Sequence, residues 1–140
     1  MKKIGQTPVE LLAILHAAHS AENELESKLN AIGLSLPKLM ALRALADAGE
    51  SMPLGQLAER LACVKSNITQ LVDRLEADGL VARQSAPHDR RTTLAALTAA
   101  GKKAVKDGTR VQQDAERDLL KRLTPDEARQ LGTLLSKMRG

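Results

Sequence analysis

The chain has 140 residues, a formal net charge of +4, one cysteine (Cys63) and no Phe, Tyr or Trp. That length suits one domain with its own core, and a lone cysteine excludes a disulfide framework within the chain. Nothing after Met1-Lys2-Lys3 resembles a secretion signal, and no stretch approaches the roughly 20 apolar residues of a membrane span, so a soluble cytoplasmic protein is expected.

Without aromatic rings, the core must be built from Leu, Ala, Val, Ile and Met, and Leu and Ala favour helix. In chain order, Thr7-Pro8-Val9-Glu10 predicts a helix start, with Thr7 as cap and Glu10 completing a capping box. Leu11, Leu15, Ala18, Leu25, Leu29 and Ile32 then recur at steps of four and three, with Glu22 filling the gap. This seam on one long helix asks for a partner, for which a second copy of the chain is a natural candidate. Gly33 is a candidate C-cap. A second helix is expected from Ser35 or Pro37 to Ala48, with Leu39, Leu42, Leu45 and Ala46 inward. Ser51-Met52-Pro53 reads as no more than a bridge. A third helix follows over about Leu54 to Leu61, then a break at Ala62-Cys63-Val64, then a fourth helix from about Lys65 to Ala77.

The period then changes. Leu80 to Gln84 reads as a strand, Ser85 to Arg90 as a turn and Thr92 to Leu97 as a returning strand. Thr98 caps a fifth helix to about Arg122 that carries Gly108 in its middle. Thr124-Pro125-Asp126-Glu127 starts a last helix with Leu131, Leu134, Leu135 and Met138 on one side. The expected fold is mainly α with a small β-hairpin wing: a winged helix-turn-helix with flanking helices.

Helix, short turn, helix and hairpin is an arrangement suited to DNA. The major groove admits one α-helix and shows a distinct donor and acceptor pattern for each base pair. On the fourth helix Ile68, Leu71, Val72 and Leu75 take the core face, leaving Lys65, Ser66, Asn67, Thr69, Gln70 and Arg74 for solvent or DNA. Asn and Gln can pair in two places with adenine, and Lys65 and Arg74 are candidates for phosphate. Charge alone does not argue this. Across residues 51–91, Arg60, Lys65, Arg74, Arg83, Arg90 and Arg91 are nearly balanced by Glu59, Asp73, Glu76, Asp78 and Asp89. Taken singly, a polar helix face or a polar hairpin tip is as often plain surface.

The combination is more specific. Leu57-Ala58-Glu59-Arg60-Leu61, Val72-Asp73-Arg74-Leu75-Glu76, Asp78-Gly79-Leu80-Val81, Asp89-Arg90-Arg91 and Leu97-Thr98-Ala99-Ala100-Gly101 occur in that order. In motif and spacing this resembles the MarR (multiple-antibiotic-resistance regulator) family, most closely over about Leu54 to Lys103. The resemblance implies a transcriptional regulator, most often a repressor, acting as a homodimer on a pseudo-palindromic operator in double-stranded DNA. It implies that Arg91 enters the minor groove, that Asp89 braces it through a salt bridge, and that Arg90 lies near phosphate. It implies dimerisation through the first and last helices, here Leu11, Leu15, Leu131, Leu135 and Met138. On that pattern residues 1–34 and 98–140 form the dimerisation parts and residues 35–97 the DNA-binding region of one structural domain. It also implies release by a small-molecule inducer, which the sequence does not name.

Other chemistry is weakly represented. Cys63 reads as an inert thiol, and His16, His19 and Glu22 as ordinary polar residues rather than metal ligands. No activated nucleophile, phosphate loop or metal cage is visible, so neither an enzyme nor a cofactor is expected. The competing reading is a winged-helix protein-interaction module that does not bind DNA.

Overall fold

The computed structural model describes residues 9–62 and 67–140. Six helices and three strands run in the order α1 (Leu11–Asn30), α2 (Leu36–Asp47), β1 (Ser51–Pro53), α3 (Leu54–Arg60), α4 (Ile68–Ala77), β2 (Val81–Ala86), β3 (Asp89–Leu97), α5 (Ala99–Leu120) and α6 (Pro125–Arg139) among those residues. The strands form one antiparallel sheet in the order β1-β3-β2.

Local sequence accounts for most boundaries. Thr7 and Pro8 lie outside the described residues. Glu10 is extended and occupies the cap position without a side-chain bond, so it is not the third helical residue that a capping box from Thr7 would need. At its other end α1 stops at Gly33, whose φ is +77°. Leu34 N–H donates to the Leu29 carbonyl and Gly33 N–H to that of Asn30, at 3.0 and 3.1 Å. This crossed pair ends a helix on a left-handed residue, which glycine adopts without a Cβ penalty. Leu29 and Leu34, bonded across that turn, are both buried. The chain re-enters helix at once. Ser35 caps α2 by accepting from Lys38 N–H, and the Glu26 carboxylate of α1 accepts from Leu36 N–H through both oxygens. On α2, Leu39, Leu42 and Leu45 are buried with Ala41 and Ala44, but Ala46 is exposed, one step off the inward stripe.

Two expectations need enlarging. Ser51-Met52-Pro53 is a true third strand. Met52 is buried opposite Ala95 of β3, so the wing is rooted in a sheet rather than standing as a bare hairpin. The hairpin is also longer than its periodicity suggests: β2 reaches Ala86 and β3 begins at Asp89, leaving Pro87 and His88 as the turn.

Leu29, Leu39, Leu42, Leu45, Leu57, Leu75 and Val72 are the largest fully buried side chains. Without large rings, close packing comes from bringing backbones together. At Gly108, α5 crosses α2 so closely that a Cβ would stand 2.6 Å from Leu39 Cδ1. At Gly101, a Cβ would stand 2.0 Å from the Leu80 carbonyl oxygen. Lys28 joins α1 to α5 through Asp118 at 2.8 Å, and Arg43 joins α2 to α5 through Gln112 at 2.6 Å. Among the described residues, no helix is long and apolar enough to cross a membrane.

Two stability predictions follow from this packing. Gly101→Ala must displace the Leu80 backbone and should cost about 1–3 kcal/mol. Gly55→Ala, with open space around it, should be neutral or stabilise by up to about 1 kcal/mol. Urea unfolding of both variants measures the contrast. Asp118 accepts hydrogen bonds from Lys28 and Lys121, which lower its pKa from 3.8 to about 2. A depressed carboxylate contributes stability above its unfolded pKa and loses it as pH falls through the folded one. The stability difference between wild type and Asp118→Asn should therefore be level above about pH 4 and shrink toward pH 2.

Candidate nucleic-acid interface

The fourth helix divides into three faces. Leu71, Val72 and Leu75 are buried, with Ile68 half-buried beside them. Asp73 and Glu76 turn toward β2. Thr69, Gln70 and Arg74 are exposed, and the side chains of Gln70 and Arg74 make no hydrogen bond or ion pair among the described residues. Lys65 and Ser66 lie outside the described residues, as does Cys63. Asn67, expected as a base reader, is the N-cap: its Oδ1 accepts from Thr69 N–H at 3.1 Å and Gln70 N–H at 3.3 Å. The helix thus begins later than the expected Lys65. With its carbonyl occupied, Asn67 presents only its amide NH2 outward, which does not suffice for a two-point adenine contact.

The wing carries its arginines on an irregular stretch. Ser85 pairs with Thr93, but the next residue, Ala86, pairs with Asp89, so Arg90, Arg91 and Thr92 fall in a break of the register. Such bulges re-aim side chains, and Arg90 and Arg91 are both exposed. The expected salt bridge from Asp89 to Arg91 does not form. Asp89 Oδ1 instead accepts from the Arg91 backbone N–H at 2.9 Å, and Oδ2 from the Thr92 hydroxyl at 3.1 Å. The short Asp side chain reaches the amide two residues on more readily than a guanidinium. Asp89 therefore shapes the backbone that carries Arg91 and leaves its charge free of an ion pair among the described residues.

One residue of this region escaped the sequence reading. Arg83 on β2 spans the gap to α4, with Nη2 2.6 Å from Asp73 Oδ1 and Nη1 3.0 Å from Glu76 Oε1. Its backbone N–H donates to Glu76 Oε2 at 3.0 Å, and Nη2 makes a longer contact of 3.4 Å with the Thr69 carbonyl. The bond to Asp73, reinforced by Glu76, raises the Arg83 pKa above its ordinary value. Two carboxylates three residues apart, followed by an arginine just past the helix end, were the available signal.

The flanking helices leave apolar side chains uncovered in the single chain. Leu11 and Leu15 on α1, and Leu131, Leu135 and Met138 on α6, are all exposed, and α6 buries no residue. Glu22 lines an open groove of about 220 Å³ between α1 and α5, with Leu25, Ala115 and Leu119 in its wall. His16 and His19 are exposed. Among the described residues, no cluster of three His, Cys, Asp or Glu side chains could hold a metal.

The cap makes a checkable prediction. Asn67→Ala should lower stability by about 1 kcal/mol, whereas Asn67→Asp or Asn67→Ser should keep it. Thermal unfolding of the three variants distinguishes a capping Asn67 from one that is only surface.

Comparison with known proteins matches this geometry. Residues 32–92 match the model of the MarR family. The chain is 34% identical over 107 residues, 76% of its own length and 69% of the relative's, to the uncharacterised HTH-type transcriptional regulator YcgE of Bacillus subtilis. It is 29% identical over 115 residues, 82% of each chain, to the HTH-type transcriptional repressor Rv2887 of Mycobacterium tuberculosis. Among solved structures, wild-type apo MarR from E. coli aligns with a TM-score of 0.80 at 25% identity, covering 95% of this chain and 98% of that one. A cysteine-to-serine mutant of E. coli MarR complexed with operator DNA aligns at 0.78 and 26% identity, covering 89% of each. With the winged helix-turn-helix in place and sequence kinship running through it, the chain belongs to the MarR family of transcriptional regulators.

Proposed function

We propose that this protein is a sequence-specific DNA-binding repressor, acting as a homodimer on a pseudo-palindromic operator and released by a small molecule. The observation that carries this reading is the pairing of exposed Thr69, Gln70 and Arg74 on α4 with exposed Arg90 and Arg91 on a bulge of the adjacent wing. Thr69 and Gln70 lie in the first turn of α4, where a recognition helix meets base edges. Arg74, with Lys65 and Ser66 just before the helix, provides phosphate and base contacts. Asn67 holds the helix end and adds one donor. Arg91 enters the minor groove, where a narrow, negative channel favours arginine, and Arg90 lies against phosphate.

The dimer forms through the uncovered apolar residues of α1 and α6, which gives residues 1–34 and 98–140 the joining role and residues 35–97 the DNA-binding one. A twofold dimer presents two copies of α4 to successive turns of the groove. The inducer is proposed to bind where α1, the end of α4 and the start of α5 meet. Ile32, Leu34, Leu80 and Ala104 line an open cavity of about 350 Å³ there. A chain without aromatic rings offers such a ligand no ring to stack on, and Asp78, Lys103 and Asp107 complete the lining beside the aliphatic side chains. This reading places the protein in the cytoplasm and assigns it no catalysis.

Near-neutral charge over residues 51–91 favours one alternative, a protein-interaction module. Polarisation titration on a selected duplex across a salt series separates the two. DNA binding predicts a steep fall with salt. Arg91→Ala should weaken binding and flatten the salt slope, and Gln70→Ala should relax sequence preference at one position by about 1–3 kcal/mol. Salt-insensitive binding, or none by a folded dimer, favours the alternative.

A further inference from the structure

We propose that Arg83 is a positioning residue for DNA binding: by clamping β2 to Asp73 and Glu76 of α4, it sets the pitch of the wing so that Arg91 reaches the minor groove while α4 lies in the major groove. The inference rests on the DNA-binding function proposed above and extends it to a residue that need not touch DNA. The wing has few other means of holding its angle. Its sheet is buried at the root, at Val81, Ala95 and Ala96, while Gln84, Ser85, Pro87 and His88 of the outer half are exposed. Strands advance by about 3.3 Å per residue, so the tip lies roughly 13 Å beyond Arg83. A tilt of about 5° at that level moves the tip by about 1 Å, enough to misplace a guanidinium in a narrow groove.

The clamp fixes direction as well as distance. Thr69, Asp73 and Glu76 stand at steps of four and three, along one face of α4. Arg83 touches all three, through the Thr69 carbonyl and the two carboxylates. A planar guanidinium with fixed donors resists rotation about such a row, which a lysine ammonium does not. Glu76 also accepts the Arg83 backbone N–H, so its two oxygens hold both strand and side chain. Partly exposed ion pairs of this kind contribute little to global stability. Their effect is expected in placement.

The sign of one substitution separates this account from simple charge. Glu76→Gln removes a negative charge near the proposed DNA surface, so charge alone predicts tighter binding. The clamp predicts weaker binding, because Glu76 can no longer hold both the Arg83 guanidinium and its backbone N–H, and Asp73 alone anchors the wing. Duplex titrations would compare wild type, Glu76→Gln, Arg83→Gln, Arg91→Ala and the Arg83→Gln/Arg91→Ala double variant, with thermal unfolding alongside. Expected are a loss of about tenfold for Arg83→Gln, a smaller loss for Glu76→Gln, little change in melting, and a double variant close to Arg91→Ala alone. Unchanged or tighter binding by Glu76→Gln overturns the proposal. So do additive losses with a salt slope reduced by about one for Arg83→Gln, which mark a direct phosphate contact. If wild type binds no duplex, the DNA-binding reading fails, and amide exchange over residues 84–93 then tests the clamp. Faster exchange in Arg83→Gln supports it, and equal protection overturns it.

Discussion

Thr98 is the point at which the recognition helix, the wing and the long fifth helix meet. Its hydroxyl donates to the Gly79 carbonyl at 2.7 Å and accepts from Gly101 N–H at 3.0 Å, while its own N–H donates to the Leu80 carbonyl at 3.1 Å. One residue thereby caps α5 and ties off the end of α4, just where β2 begins. The missing Cβ of Gly101 lets α5 sit on the Leu80 carbonyl. The direction of α5 is thus coupled to that of α4, and the Lys38–Asp78 ion pair adds a second tie between α2 and the same helix end. Any change in how two copies of α5 are arranged in a dimer would be felt at α4 through these bonds.

The absence of aromatic side chains shapes the rest. Aliphatic side chains fill the centre, and at Gly101 and Gly108 the fifth helix approaches its neighbours too closely for a Cβ. Most of the large apolar residues left exposed lie on α1 and α6, among them Leu11, Leu12, Leu15, Leu131, Leu134, Leu135 and Met138. Scattered exposed leucines need no explanation, but α6, with four apolar residues in eight and none buried, gains little from packing within this chain. Its stability is consistent with a covering partner, as the homodimer proposal requires.

Much of this was legible beforehand, for identifiable reasons. The helical stripes of α2 and α4, the Thr98 and Thr124 caps, the glycine stop at Gly33 and the change of period after Gly79 are local signals, and the structure carries each of them. What was not legible depended on long-range pairing or on competition between bonds. β1 is a strand only because β3 returns beside it. Asp89 could bond to a guanidinium or to a backbone amide, and the nearer amide won. Asn67 could read a base or cap a helix, and the orphan N–H groups of α4 claimed its carbonyl. Arg83 was invisible as anything but charge, since its partners lie on another element. For these residues, the sequence indicated which side chains are exposed more reliably than the bond each one makes.

The central claim is that two copies of α4 and its wing address DNA together, α4 in the major groove and Arg91 in the minor. The most direct test is selection of bound duplexes from a random library, followed by hydroxyl-radical footprinting of the winning sequence. The account predicts an inverted repeat with half-site centres about 10 base pairs apart, and protection of the minor groove flanking each half-site. Enrichment of no sequence, or a footprint confined to a single unpaired half-site, would contradict it.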